Sequence, residues 1–61
     1  MKIKISIKGQ REFLRIEAER IDVLDFELNG VEYKQIRVFD KKGSKSQYIE
    51  SELINWIKEE L

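Results

Sequence analysis

Residues 1–8 alternate strictly, with Met1, Ile3, Ile5 and Ile7 on one side and Lys2, Lys4, Ser6 and Lys8 on the other. This is the period of two expected of a strand buried on one face. Gly9-Gln10 follows as a two-residue turn with glycine first, which suits a type II′ hairpin. Counting outward from it sets Met1 opposite Ala18, Ile3 opposite Ile16 and Ile5 opposite Leu14. The same face is then apolar on both strands, and a second strand is expected at about 12–19. A third, near 21–28, begins almost at once. Because Glu19-Arg20 is poor tight-turn chemistry, a bend or bulge is expected between them.

Asn29-Gly30 lies between two runs of β-formers and predicts a second hairpin. Its register pairs Leu28 with Val31, Phe26 with Tyr33, Leu24 with Gln35 and Asp22 with Arg37 on one face. The other face pairs Asp25 with Lys34, Val23 with Ile36 and Ile21 with Val38. Apolar side chains and opposite charges fall together, as cross-strand energetics favour. Strand four runs from about Val31 to Phe39, Lys41-Lys42-Gly43-Ser44-Lys45 reads as a loop, and a short fifth strand fits at 46–50. Ser51 then stands as the cap of a helix over 52–61, with Glu52 in its first turn. Leu53, Ile54, Ile57 and Leu61 share one face of that helix, with Trp56 at the flank. The predicted class is α+β: one domain over 1–61, a curved antiparallel sheet of four or five strands followed by one C-terminal helix, β-β-β-β-α.

The second hairpin changes its apolar face along its length. Leu24, Phe26, Leu28, Val31 and Tyr33 lie on one side near the tip, while Ile21, Val23, Ile36 and Val38 lie on the other near the base. One short helix covers one of these sets. Either a bulge rotates the strand and unites them, or a second chain covers the tip. Length points the same way, since a chain of 61 residues buries only about 60% of its extended surface on folding. With no Cys or His it has neither disulfide nor ordinary metal staple. A homodimer or higher homo-oligomer is expected, with Leu24, Phe26, Leu28, Val31, Tyr33 and Trp56 at its interface. No apolar run approaches the roughly 18 residues of a membrane span, and the cysteine count gives no sign of secretion, so a cytoplasmic location without membrane association is the expectation.

Charged residues make up 39% of the chain and cancel to zero, yet they are segregated. Residues 1–11 carry Lys2, Lys4, Lys8 and Arg11 without an acid, and 34–45 carry five cations against Asp40. In the first hairpin register the solvent face sets Lys4 opposite Arg15, Lys8 opposite Arg11 and Ser6 opposite Phe13. Like charges placed opposite each other cost stability. Cations that follow a phosphate backbone beside a ring on which a base stacks describe a sequence-tolerant single-strand surface. Lys4, Lys8, Arg11, Phe13 and Arg15 are therefore the candidate contact residues, assisted by Lys41, Lys42 and Lys45, whose loop lacks the spacing of a nucleotide-binding loop. The same pattern also serves as a lysine-rich solvated face with Phe13 tucked against a neighbouring strand.

Catalytic chemistry is scarce. There is no His or Cys to act as base or thiol nucleophile, and Ser44, Ser46 and Ser51 sit in loop or capping contexts. Asp22, Asp25 and Glu27 have the chemistry for Mg²⁺, but the register gives Asp22 and Asp25 basic partners in Arg37 and Lys34. The chain is read as no enzyme, with a metal-dependent nuclease as the minor alternative, and no cofactor is implied.

From Tyr33 onward the chain resembles the positive-cofactor-four transcriptional coactivator family and its small bacterial relatives. The matching residues are Tyr33, Ile36-Arg37, Phe39, Gly43, Lys45, Ile49, Leu53, Ile57 and Leu61, about half the chain. It departs in an extra residue between Tyr33 and Ile36, and in Ser46-Gln47 where relatives usually have a glycine before the last strand. The resemblance implies a curved four-stranded sheet, a dimer made by the helices, and single-stranded nucleic acid in a basic, aromatic-bearing groove. Similar small folds also occur in phage proteins that blunt bacterial defence, including some anti-CRISPR proteins. Two functions therefore compete. One is a homo-oligomeric nucleic-acid-binding module, for single-stranded DNA without strong sequence preference. The other is a protein-binding inhibitor of phage or mobile-element type that occludes a partner with its sheet edge or its 24–33 tip.

Overall fold

A computed structural model describes residues 1–60. Its strands are β1 (Lys2–Ile7), β2 (Leu14–Glu17), β3 (Arg20–Leu28), β4 (Val31–Asp40), β5 (Gly43–Glu50) and β6 (Ile54–Glu60), with one 3-10 turn at Ser51–Leu53. They form two three-stranded antiparallel sheets, β2-β1-β6 and β3-β4-β5. Each sheet has one apolar face, and these faces meet in a common core of Ile3, Ile5, Ala18, Ile21, Ile36 and Ile49. Ile5 and Ile36, one from each sheet, are fully buried.

Both hairpin registers follow the sequence pattern. Ile3 pairs with Ile16, Lys4 with Arg15 and Ile5 with Leu14. Hydrogen bonds in both directions between Met1 and Ala18 extend the ladder by one pair. The β3–β4 ladder runs unbroken from Arg20 opposite Phe39 to Leu28 opposite Val31, closed by Asn29 and Gly30 at φ 51° and 80°. Both central residues at positive φ define the turn type that Asn-Gly favours, because its twist matches that of the strands. At Glu19 the chain bends from one sheet to the other, and the Glu19 N–H donates to Asp40 Oδ1 at 3.3 Å.

The α+β expectation is overturned: the fold is all-β, with no helix at 52–61 among the described residues. Ser51 lies inside a 3-10 turn that has no side-chain cap, and 54–60 form a sixth strand paired with β1. The reason lies in β1, whose first edge is taken by β2 and whose second edge needs partners for its backbone groups. Ile57 opposite Ile5 and Ile54 opposite Ile7 supply them while adding apolar surface to the core. Leu61, expected on the helix face, lies outside the described residues.

Smaller differences follow from the turns. The Gln10 N–H donates to the Ile7 carbonyl at 3.1 Å, so Lys8 and Gly9 form the centre of the first turn, with Gly9 at φ 81°. The chain then loops to Leu14, and the expected ladder pairs of Ser6 with Phe13 and Lys8 with Arg11 do not form. The expected loop over 41–45 contracts to Lys41-Lys42, and β5 starts at Gly43. As an edge strand, β5 needs few apolar side chains to pair with β4.

Candidate nucleic-acid interface

The outer face of β2-β1-β6 is built by alternation. With Ile3 and Ile5 turned into the core, Lys4 and Ser6 must point out. Lys4 is flanked by Arg15 on β2 and Lys58 on β6, so a row of three cations crosses the sheet. In the next row Trp56 stands beside Ser6. Phe13, just before β2, lies with its ring centroid 5.1 Å from that of Trp56 and the planes tilted by 52°. Lys4 Nζ sits 5.3 Å from the centre of the Phe13 ring, and Lys58 Nζ sits 4.7 Å from that of Trp56.

Alternation places Trp56 there, because Ile57 next to it faces the core opposite Ile5. The ladder steps from Ser6 opposite Trp56 to Ile7 opposite Ile54, which leaves Asn55 as the extra residue, and Asn55 Nδ2 donates to Ser6 Oγ at 3.2 Å. Bulges of this kind re-aim side chains. Here the bulge turns Ile54 inward, to the same side as Ile57, and leaves the outward side of Trp56 unchanged.

Adjacent like charges repel, and one ion pair with two cation–ring contacts offsets part of that cost. Lys4 Nζ lies 3.1 Å from Glu60 Oε1. The cation–ring contacts add about 0.5–1 kcal/mol each at exposed sites. Glu17 and Glu60 flank Lys2 at one end of the face, so the cations dominate toward Phe13 and the first turn. Phe13 remains 45% exposed, whereas Trp56 is half-buried.

Of the residues singled out by the sequence, Arg11, Phe13 and Arg15 line one shallow hollow with Glu12, and Lys4 reaches the Phe13 ring. Lys8 is exposed at the adjoining turn, where its backbone N–H donates to the Leu53 carbonyl at 2.8 Å. Lys42 and Lys45 line a different hollow with Val38 and Asp40, and Lys41 occupies the same β4–β5 turn, so these three are not brought together with Lys4 and Phe13. Trp56 and Lys58 complete the face although the helical reading hid both. A period-two reading of 56–60, with Trp56, Lys58 and Glu60 on one side, is the signal that finds them.

Leu24, Phe26, Leu28, Val31 and Tyr33 gather on the outer face of the other sheet, where Tyr48 joins them; Trp56 is on the first sheet and not among them. The acids considered for a metal separate. Asp22 accepts from Arg20 at 3.0 and 3.2 Å, whereas Asp25 pairs with Lys34 on the opposite face of β3.

No known family model matches the chain, and neither a curated protein nor a solved structure is similar to it. Among the described residues no helix is long and apolar enough to cross a membrane.

Proposed function

We propose that the outer face of β2-β1-β6 binds single-stranded nucleic acid with little sequence preference. The observation that carries this reading is the Phe13–Trp56 pair set against the cation row of Arg15, Lys4 and Lys58. A single strand offers unpaired base faces and a charged backbone side by side, and this face offers rings and cations side by side. Stacking on a ring is tolerant of sequence because every base has a π-face. The net charge of zero confines attraction to the local field of this face, so binding is expected to be moderate and steeply salt-dependent. A role limited to occluding a protein with the 24–33 tip places no demand on cations and rings gathered on the opposite sheet.

Trp56 is the only tryptophan, so its fluorescence reports on this face alone. Titrating the protein with a short oligothymidylate at low salt should quench that emission saturably, with less effect from the corresponding duplex. An emission spectrum unmoved by single strands at low salt removes the reading, because electrostatic attraction is then at its strongest.

A further inference from the structure

We propose that the outer face of β3-β4-β5 is a contact between two copies of this chain, packed face to face across a two-fold axis with their hairpins antiparallel. The unbroken β3–β4 register creates this face. No bulge rotates the hairpin, so the apolar tip set stays opposite the core and outside the molecule. Leu24, Phe26, Leu28, Val31 and Tyr48 are 37–53% exposed. Phe26 holds the patch together, with ring centroids 6.3 Å from Tyr33 and 5.3 Å from Tyr48.

These side chains expose on the order of 500 Å², the upper part of the range for the largest patch on a monomer. With the rim of Gln35, Arg37 and Glu50, a face-to-face contact approaches the roughly 800 Å² per partner of a stable interface. Addition of a strand at the sheet edge is the less favourable route. On β5 the charge of Lys45 faces the core side opposite Val38, and on β3 Asp25 faces that side as well, the inward charges that discourage edge pairing.

Charge selects a second copy and sets its direction. Near the tip the acid on this face is Glu50, which lies beside Tyr33. At the root Arg20 and Arg37 flank the Phe39 ring at 5.2 and 5.3 Å, and Asp22 opposite Arg37 pairs with Arg20, so the root keeps one net positive charge. A parallel arrangement stacks acid on acid, whereas an antiparallel one carries Glu50 toward Arg37 of the partner subunit twice over. An isologous contact needs both halves of each pair on one surface, and this surface has them. The contact leaves the Phe13–Trp56 face free, so it stands or falls separately from the nucleic-acid reading.

Sedimentation equilibrium without nucleic acid tests it on the whole chain. Wild type should be a dimer at micromolar to high micromolar concentration. Phe26→Glu should raise the dissociation constant by roughly 30-fold or more, the scale of a central hot spot. Leu28→Glu, at the most exposed tip position, should act in the same direction where the fold does not depend on the side chain. Arg37→Glu and Glu50→Arg should each weaken the dimer, and the two together should restore it. A folded wild-type monomer at several hundred micromolar overturns the proposal and leaves the face to a different partner. So does a dimer indifferent to both Phe26→Glu and Leu28→Glu, and a charge-swapped double variant no tighter than the single ones contradicts the antiparallel alignment.

Discussion

The ring of Phe13 meets that of Trp56 at 5.1 Å between centroids, although one residue precedes β2 and the other lies within β6. The contact spans the outside of β1, and Trp56 points outward there by alternation with Ile57, which faces the core opposite Ile5. Replacing either ring with alanine should cost about 1–3 kcal/mol of single-strand affinity if a base stacks there. The double variant should lose less than the two single losses together, because the rings form one platform. Oligonucleotide titration of the four proteins, with anisotropy as the signal, gives the coupling. Additive losses would mean that the two rings act independently.

Gly30→Val should lower stability by at least about 1 kcal/mol, the scale of forcing a β-branched residue into a backbone region suited to glycine. The position has open space for a side chain, so the penalty is conformational and not a clash. Urea denaturation measures it, and an unchanged midpoint would mean that the turn tolerates positive φ in valine.

The last strand separates two residues that a helix would treat alike. Ile57 packs on the core opposite Ile5, whereas Leu53 is 45% exposed. Ile57→Ala should cost about 2 kcal/mol or more, and Leu53→Ala should stay within about 0.5 kcal/mol. Comparable losses at both positions would mean that Leu53 is packed as firmly as Ile57, contrary to this placement.

Ile36 is fully buried where the two sheets meet. Ile36→Ala should cost about 2–5 kcal/mol, set against a total of about 3–9 kcal/mol for a chain of this length. A large unfolded fraction at 25 °C is the expected outcome by circular dichroism. A fully folded variant with an unshifted midpoint would place the core elsewhere.

The hairpins were legible because their information is local. Asn29-Gly30 specifies its turn, and alternation on either side leaves one register that keeps apolar residues together. The first ladder is insensitive to its turn for the same reason: a turn centred on Lys8-Gly9 with a wider loop after it keeps the pairing of Ile3 with Ile16. The last strand was not legible. Its bulge turns Ile54 and Ile57, three apart, to the same side, and that spacing imitates a helical face. The partner that makes it a strand is β1, at the far end of the sequence, so no neighbouring residue carries the signal. The misread helix also hid half of the candidate site, since Lys58 and Trp56 reach the Lys4 row only as strand residues. The face change along β3–β4 was legible from the register, but sequence alone could not decide between a bulge and an uncovered patch.

The central claim is that cations on the β2-β1-β6 face hold phosphates, and the salt slope of oligonucleotide binding tests it most directly. Three phosphate contacts, from Lys4, Arg15 and Lys58, give a log–log slope of about −2 for a single strand, or roughly a 20-fold loss of affinity between 50 and 200 mM salt. Arg15→Glu with Lys58→Glu spares the Lys4–Glu60 pair and leaves core side chains untouched, so the fold should persist while binding falls below detection at either concentration. A wild-type affinity that does not change with salt, or a folded double variant that binds as wild type does, would contradict the account.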